Sequence, residues 1–284
     1  MSGAMAGRTC LITGATSGIG RATALGLAGM GATLVVLARD RHKGETLLGE
    51  LRAAGAEDAT LLLADLSRQA EVRRVAAEFL ASPRPLHVLI NNAGVVNVGR
   101  SETADGIETT FAVNHLAYFL LTNLLLDRLR ASAPARIVNV ASDAHKFAPL
   151  DFDDLNSLKR YATMRVYGQS KLANILFTSE LARRLEGSGV TVNALHPGAV
   201  ATGLGQNNGA WARALIAVLR PFFRTPDDGA ATSIYLASAP EVASVSGKYF
   251  AKRREKRPSA AAQDAAAAHR LWQVSAQMVG LQGG

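Results

Sequence analysis

A doubly wound α/β fold, one parallel sheet with helices on both faces, is the class this sequence predicts. Three observations predict it. Short runs rich in Val, Ile and Leu alternate with helix-like segments along the chain, the pattern of parallel strands buried on both faces and joined by crossovers. A glycine-rich loop joins the first such run to the first helix. The 284 residues, 48% of them hydrophobic, show neither an internal repeat nor a linker, so residues 1–284 are expected to form one domain.

The elements follow in order. "TCLIT" (9–13) is a buried strand, and "GIGRATALGLAGMG" (18–31) a helix whose small residues face a sheet. "TLVVLA" (33–38) and "ATLLLADL" (59–66) are the second and third strands, and "AEVRRVAAEFLAS" (70–82) a helix with a charged face. "LHVLINNAG" (86–94) is a strand ending in a turn, and "VNHLAYFLLTNLLLDRLRA" (113–131) a long apolar helix. "ARIVNVAS" (135–142) is the fifth strand, a helix over 166–185 follows, and "VTVNALHPG" (190–198) is the sixth strand. "DDGAATSIYLASA" (227–239) reads as a helix, "SGKYF" (246–250) as a last short strand, and the Ala-rich stretch 260–279 as a terminal helix. The stretch "QNNGAWARALIAVLRPFFRTP" (206–226) interrupts the alternation. Being apolar, aromatic and basic, it is expected to form a substrate lid around 205–226, with a surface helix packed on the core and a membrane-surface helix, making peripheral membrane contact, as the rival readings.

Composition narrows the function classes. Cys10 is the sole cysteine, so an intrachain disulfide is excluded, and its apolar surroundings mark it as a core residue. The N-terminal "MSGAMAGRTC" lacks the pattern of a signal peptide, and no run of ~18 consecutive apolar residues suggests a membrane span. A cytoplasmic protein is the expectation. The net charge of +8 and pI near 10.0 favour an anionic partner. The densest basic run, "KRREKRP" (252–258), has no interleaved aromatics and no nucleic-acid motif around it, so it reads as a solvated loop and no nucleic-acid partner is expected.

The loop "TGATSGIG" carries Gly14, Gly18 and Gly20, with Ser17 and Ile19 between them. Such glycines allow a tight turn, close backbone approach to a pyrophosphate, and a helix N-terminus aimed at anionic oxygens. Ser17 offers a hydroxyl donor. At the end of the second strand, "VVLARD", an acid would read a ribose 2′-OH and an Arg a 2′-phosphate. Ala38 stands at that point and Arg39 follows, with Arg21 adding charge nearby. This favours NADP, while Asp40, if turned inward, would favour NAD.

Tyr167 and Lys171 stand four residues apart in "VYGQSKLANILF", on one face of a helix. The fourth strand ends "NNAG" (91–94) and the fifth ends at Ser142, which no G-x-S-x-G motif surrounds. In this order, "TGATSGIG", "NNAG", "VNHL", Ser142, "YGQSK" and "HPGAVAT" resemble the short-chain dehydrogenase/reductase family. The retinol dehydrogenase-like subgroup is the nearest match, through "SDAH", "SKLANILFTSELARRL" and "SGKYF". The resemblance implies a Rossmann-type fold and a catalytic tetrad: Tyr167 as acid/base, Lys171 lowering its pKa and holding the nicotinamide ribose, Ser142 orienting the substrate oxygen, and Asn114 organising a water. It further implies contacts from Asp65 and Leu66 to adenine, from Asn91, Ala93 and Gly94 around the ribose, and from Pro197, Gly198, Val200 and Thr202 at the nicotinamide end. To act near neutral pH, a phenol of pKa ~10 should be lowered by roughly two to three units.

His115, His145 and His196 adjoin these residues without metal-ligand spacing, and no metal is expected. The expected function is NADP-dependent interconversion of a hydrophobic alcohol and its ketone or aldehyde. A non-catalytic NADP-binding regulator is the alternative, and a methyltransferase on a similar sheet a third reading that leaves the tetrad unexplained. The helix over 114–130 is apolar nearly all round, so its outer face needs cover; pairing with the helix over 166–185 in a symmetric bundle would supply it, which predicts a homodimer.

Overall fold

A computed structural model describes residues 3–198 and 225–281. Its sheet comprises β1 (Thr9–Thr13), β2 (Thr33–Ala38), β3 (Thr60–Leu63), β4 (Val88–Asn91), β5 (Ala135–Val140), β6 (Val190–His196), β7 (Tyr249–Ala251) and β8 (Arg254–Glu255). The spatial order is β3-β2-β1-β4-β5-β6-β7-β8, parallel except for the antiparallel β7–β8 pair. From β1 the chain winds outward through β2 and β3, then returns to lay β4 on β1's other edge. The crevice where the winding reverses opens beyond the carboxyl ends of β1 and β4, the place where such sheets bind ligands.

Strand residues alternate between two cores. Cys10, Ile12, Leu34, Val36, Val88 and Ile90 face α1 (Gly18–Gly29), α2 (Arg41–Ala53) and, toward the C-terminus, the helix Pro226–Ser238. Leu11, Val35, Leu37, Leu89 and Ile137 face the other layer. That layer holds α3 (Gln69–Leu80), the single turn α4 (Thr109–Phe111), α5 (Ala117–Ala131) and α6 (Thr163–Arg184). The helices Pro226–Ser238 and Ala265–Met278 are α7 and α8.

Several elements depart from the sequence reading. The sequence reading assigned no element to α2, because "RHKGETLLGELRA" is polar and buries only Gly44, Leu47 and Leu51. Its first turn is fixed instead by Asp40, whose carboxylate accepts from the Lys43 N–H at 3.1 Å. The expected helix over 113–131 begins as a π-helical segment, Ala112–Leu116, between α4 and α5. The terminal helix divides at Asp264, which caps α8.

The stretch Thr109–Ala131 has the length and apolarity of a membrane span, yet 78% of its most apolar window is buried inside the molecule. Part of the cover that the dimer argument asked for comes from α3, which packs along α5, and part from α8. Trp272 packs against Phe119 of α5 at 4.9 Å between ring centroids and against Phe177 of α6 at 5.9 Å. Arg184 lies over the indole at 4.1 Å, and the Glu180 carboxylate accepts from Arg183 and Arg184 and meets His269 of α8. Val200, Thr202 and nearly all of the expected 205–226 insertion lie outside the described residues; only Thr225 and Pro226, the N-cap and first residue of α7, fall within them.

Candidate active site

A cavity of about 910 Å³ lies along the carboxyl edge of the sheet, from the end of β2 to the start of α6. Its floor is the β1–α1 loop. Gly14 has φ +65°, and a Cβ there would stand 2.7 Å from the Ala93 Cα. At Gly20 a Cβ would stand 2.3 Å from the Gly14 carbonyl oxygen. Gly18 has φ +52° and opens α1. Ser17 is the N-cap, but its hydroxyl makes no capping bond and faces the cavity with Ile19. The glycines therefore let the loop close tightly on β4, with the Gly14 N–H held by the Leu37 carbonyl at 3.1 Å, and leave the N-terminus of α1 facing the cavity, an arrangement that fits a pyrophosphate.

Arg39 lines the end of the cavity beyond β2, and no ion pair holds it among the described residues. Arg41, His42 and Lys43 line the same end, which sequence reasoning missed along with α2 itself. Arg21 does not contribute. Its guanidinium is bidentate to Glu50 at 2.7 and 2.8 Å, tying α1 to α2. Asp40 has one carboxylate oxygen committed to its capping bond. Asp65 and Leu66 line the cavity after β3, with one Asp65 oxygen accepting from the Ser67 N–H at 3.0 Å.

Asn91 requires a correction. It is fully buried, donating to Thr122 Oγ1 at 3.0 Å and Asn139 Oδ1 at 2.9 Å, and it does not line the cavity. Alternation along β4 turns its side chain toward α5, and it is the next residue, Asn92, that reaches the loop. Asn92 Nδ2 donates to the Thr13 and Gly14 carbonyls at 2.9 and 3.2 Å. Thr13 Oγ1 in turn accepts from the Asn92 and Ala93 N–H groups. Ala93 and Gly94 do line the cavity, as do Pro197 and Gly198 on the far side.

Ser142, Tyr167 and Lys171 meet at the other end. Ser142 follows β5 in extended conformation and accepts from the Ala144 N–H at 3.2 Å. Its hydroxyl lies close enough to the Tyr167 phenol to pull that phenol's pKa downward. Lys171, one helical turn after Tyr167, donates from Nζ to the Val140 carbonyl at 2.9 Å. The ammonium stands 5.7 Å from the Tyr167 ring centroid and 5.8 Å from that of Tyr118. Tyr118 donates to the Ala93 carbonyl at 2.7 Å and was missed in the sequence, although it lies four residues after Asn114. Asn114 sits one layer behind the cavity in the π-helical segment, a rare feature that recurs at functional sites. Its side chain clamps Val95 by a reciprocal pair of bonds at 2.8 and 3.0 Å and donates to Ser170 Oγ at 3.0 Å. A Cβ on Gly94 would touch both the Asn114 oxygen (3.4 Å) and Lys171 Nζ (3.6 Å).

The electrostatics reverse one expectation. Burial pushes the Tyr167 phenol up to about 12, against the opposing pull of the Ser142 hydroxyl. Burial likewise brings Lys171 down to about 7. The protein alone therefore keeps Tyr167 protonated, because the same burial that weakens the ammonium penalises the phenolate.

A glycine cradle at a helix N-terminus and a buried Tyr–Lys pair at opposite ends of one cleft define a dinucleotide-binding oxidoreductase. Residues 8–213 match the family model described as short chain dehydrogenase, and the chain belongs to that family. Among curated proteins it is 46% identical to retinol dehydrogenase 14 of Homo sapiens, over 98% of this chain and 88% of that one. It is also 46% identical to retinol dehydrogenase 13 of Homo sapiens, over 97% and 84%. Among solved structures, an uncharacterized protein from Mycobacterium Paratuberculosis superimposes with a TM-score of 0.79 at 36% identity, covering 98% of this chain and 96% of that one. A short chain dehydrogenase from Burkholderia cenocepacia in complex with NADP superimposes with a TM-score of 0.70 at 28% identity, covering 87% and 96%.

Proposed function

We propose that this protein is an NADP-dependent oxidoreductase that interconverts a hydrophobic alcohol and its ketone or aldehyde. One observation carries the reading: the Ser142 hydroxyl, the Tyr167 phenol and the Lys171 ammonium converge at the end of a cleft whose other end is a glycine cradle. The cleft fits the dinucleotide, because a Cβ at Gly14 or Gly20 would strike Ala93 or the Gly14 carbonyl, so glycines let the loop pack tightly enough to leave the N-terminus of α1 open to a pyrophosphate. Gly14, Ser17, Gly18, Ile19 and Gly20 would hold the pyrophosphate, Asp65 and Leu66 the adenine, and Ala93, Gly94, Lys171, Pro197 and Gly198 the nicotinamide half. When bound, the cofactor supplies or accepts the hydride, and in its oxidised form it adds a positive charge that favours the phenolate.

The chain's own groups handle the proton. In reduction, Tyr167 donates its phenolic proton to the developing alkoxide, for which a phenol held protonated by burial is suited. Ser142 donates a second hydrogen bond to the same oxygen, so charge is stabilised where it develops. Lys171 supplies positive charge beside the phenolate left behind, and the ring faces of Tyr118 and Tyr167 help retain the ammonium against its burial. Asn114 holds Val95, and through it the Gly94 turn, against this pair.

Preference for NADP rests on Arg39, Arg41 and Lys43 at the adenosine end. Arg39→Asp is expected to shift kcat/KM from NADPH toward NADH, and an unchanged ratio would remove Arg39 from 2′-phosphate recognition. The whole reading is tested by NADPH oxidation across retinal, steroid ketones, aromatic ketones and short aldehydes. Turnover of the large apolar members is expected. NADPH binding without any turnover would favour a regulator instead. Cytoplasmic residence belongs to the same proposal and is checked by cell fractionation.

A further inference from the structure

The basic run 252–258 is mostly exposed, as a solvated loop would be, but it folds as a hairpin and one of its lysines is held. Lys252 and Arg253 have φ of +52° and +61° and form the two-residue turn between β7 and β8. A turn with positive φ at both central positions matches strand twist and reverses the chain tightly. It brings Lys256 back beside Tyr249, where its N–H donates to the Tyr249 carbonyl at 2.8 Å. From there the Lys256 ammonium donates to both carboxylate oxygens of Asp143, at 2.8 and 3.1 Å. Asp143 is the residue after Ser142.

The grip is two-sided. The Asp143 carboxylate also accepts from the Tyr249 phenol at 2.9 Å, and its backbone N–H donates to His196 Nδ1 at 3.2 Å. On the other side, the Ser259 N–H donates to His145 Nε2 at 3.1 Å. A backbone N–H can only donate, so Nε2 accepts and the His145 proton sits on Nδ1, which donates to the Ser142 carbonyl at 2.7 Å. Residues 256 and 259 thus reach the Ser142 turn from both flanks, more than a hundred residues along the chain. The Lys256–Asp143 pair is about one-third exposed on each side and contributes little to stability as an ion pair. Its geometric effect is larger, since it fixes where β5 hands the chain to Ser142.

We propose that residues 256–259 clamp the turn carrying Ser142, which makes Lys256, Asp143 and His145 positioning residues for the Ser142 hydroxyl and, through it, for proton transfer at Tyr167. The inference rests on the roles given to Ser142 and Tyr167 above. Displacing a catalytic group by a fraction of its reach costs rate rather than cofactor affinity.

The test combines kinetics with a structure. Lys256→Met is expected to lower kcat about tenfold to a hundredfold, with the NADPH Kd held within about threefold. Lys256→Arg should restore kcat to within about threefold. Asp143→Asn, which keeps the shape of the turn and a partner for Tyr249, should reproduce the Lys256→Met loss. In a Ser142→Ala background, Lys256→Met should cost nothing further, because the group it positions is gone. The same fold loss with and without the Ser142 hydroxyl would overturn the proposal, as would a parallel loss of NADPH binding or an unchanged kcat. Crystal structures of the parent and the Lys256→Met protein should show Ser142 Oγ moved away from the Tyr167 phenol in the variant. An Oγ that stays where the parent has it would overturn the proposal whether or not a substrate is known. An inactive parent enzyme would refute the assigned reaction and leave this structural readout to decide the clamp.

Discussion

Lys171 is held where a lysine is least at ease, fully buried at the end of α6 nearest the cleft, with its proton affinity brought from 10.5 to about 7. Between those values the unfolded chain binds a proton that the folded protein does not, so stability rises with pH across that window and the penalty is complete below it. Lys171→Met is therefore expected to abolish turnover and yet raise the Tm of the cofactor-free protein. Each kcal/mol recovered is worth about 2–4 °C in a protein of this size. The gain should be greatest near about pH 6 and shrink toward pH 10 as the parent sheds its penalty. A variant that melts below its parent at both ends would show that the Val140 hydrogen bond outweighs the buried charge. Tyr167 poses the complementary case. Tyr167→Phe removes only the proton donor, so kcat should fall by ~10²–10⁴-fold while NADPH affinity stays. Turnover within threefold of the parent would assign the proton to another group.

Helix α1 shows how one element can hold two glycines with opposite tolerances. Gly20 is packed so closely on Gly14 and Asn92 that a Cβ would stand 2.3 and 2.4 Å from their atoms, whereas a Cβ on Gly29 meets nothing within 4 Å. Gly20→Ala must open the β1–α1 loop, so NADPH affinity should fall at least tenfold and the Tm with it. Gly29→Ala keeps the loop and gains helix propensity of up to ~1 kcal/mol, so its Tm should hold or rise with NADPH binding unchanged. Calorimetry beside a binding titration separates the two. Equal behaviour would mean that the glycine loop adapts, and the packing argument for the cradle would fail.

Taken as a molecule, the described residues cover part of the apolar face of α5 and α6 from within the chain. Because α8 lies on α6 and reaches α5 through Trp272 on Phe119, a second copy meeting that part of the face would have to displace α8. Light scattering at micromolar concentration is expected to return the 29.9 kDa of one chain. A ~60 kDa species would show that a second copy docks on another surface. Trp272→Ala should cost about 3–5 kcal/mol, since it empties a site lined by Phe119, Phe177 and the Arg184 guanidinium. Guanidinium titration would check that cost, and a loss below ~1 kcal/mol would mean that α8 is a loose cover.

Strands β1 to β7, most of the helices, the glycine loop and the Tyr167–Lys171 pair were legible in the sequence because each depends on neighbours a few residues away. Buried parallel strands are written as apolar runs, and an i, i+4 spacing fixes a shared helix face. Helix α2 escaped because its stability comes from a cap and two leucines rather than from a continuous apolar face. The choice between Asn91 and Asn92 was not legible. Period-2 alternation says that the two point opposite ways, but which way awaits the layer that packs on each face. The rise of Tyr167 and the fall of Lys171 were equally hidden, because burial is a sum over the surrounding chain and spacing carries only their mutual attraction. Long-range closure alone brought α8 over α5 and α6, and Lys256 to Asp143 beside Ser142. Contacts between segments so far apart along the chain follow from how the sheet is wound, and no local pattern records them.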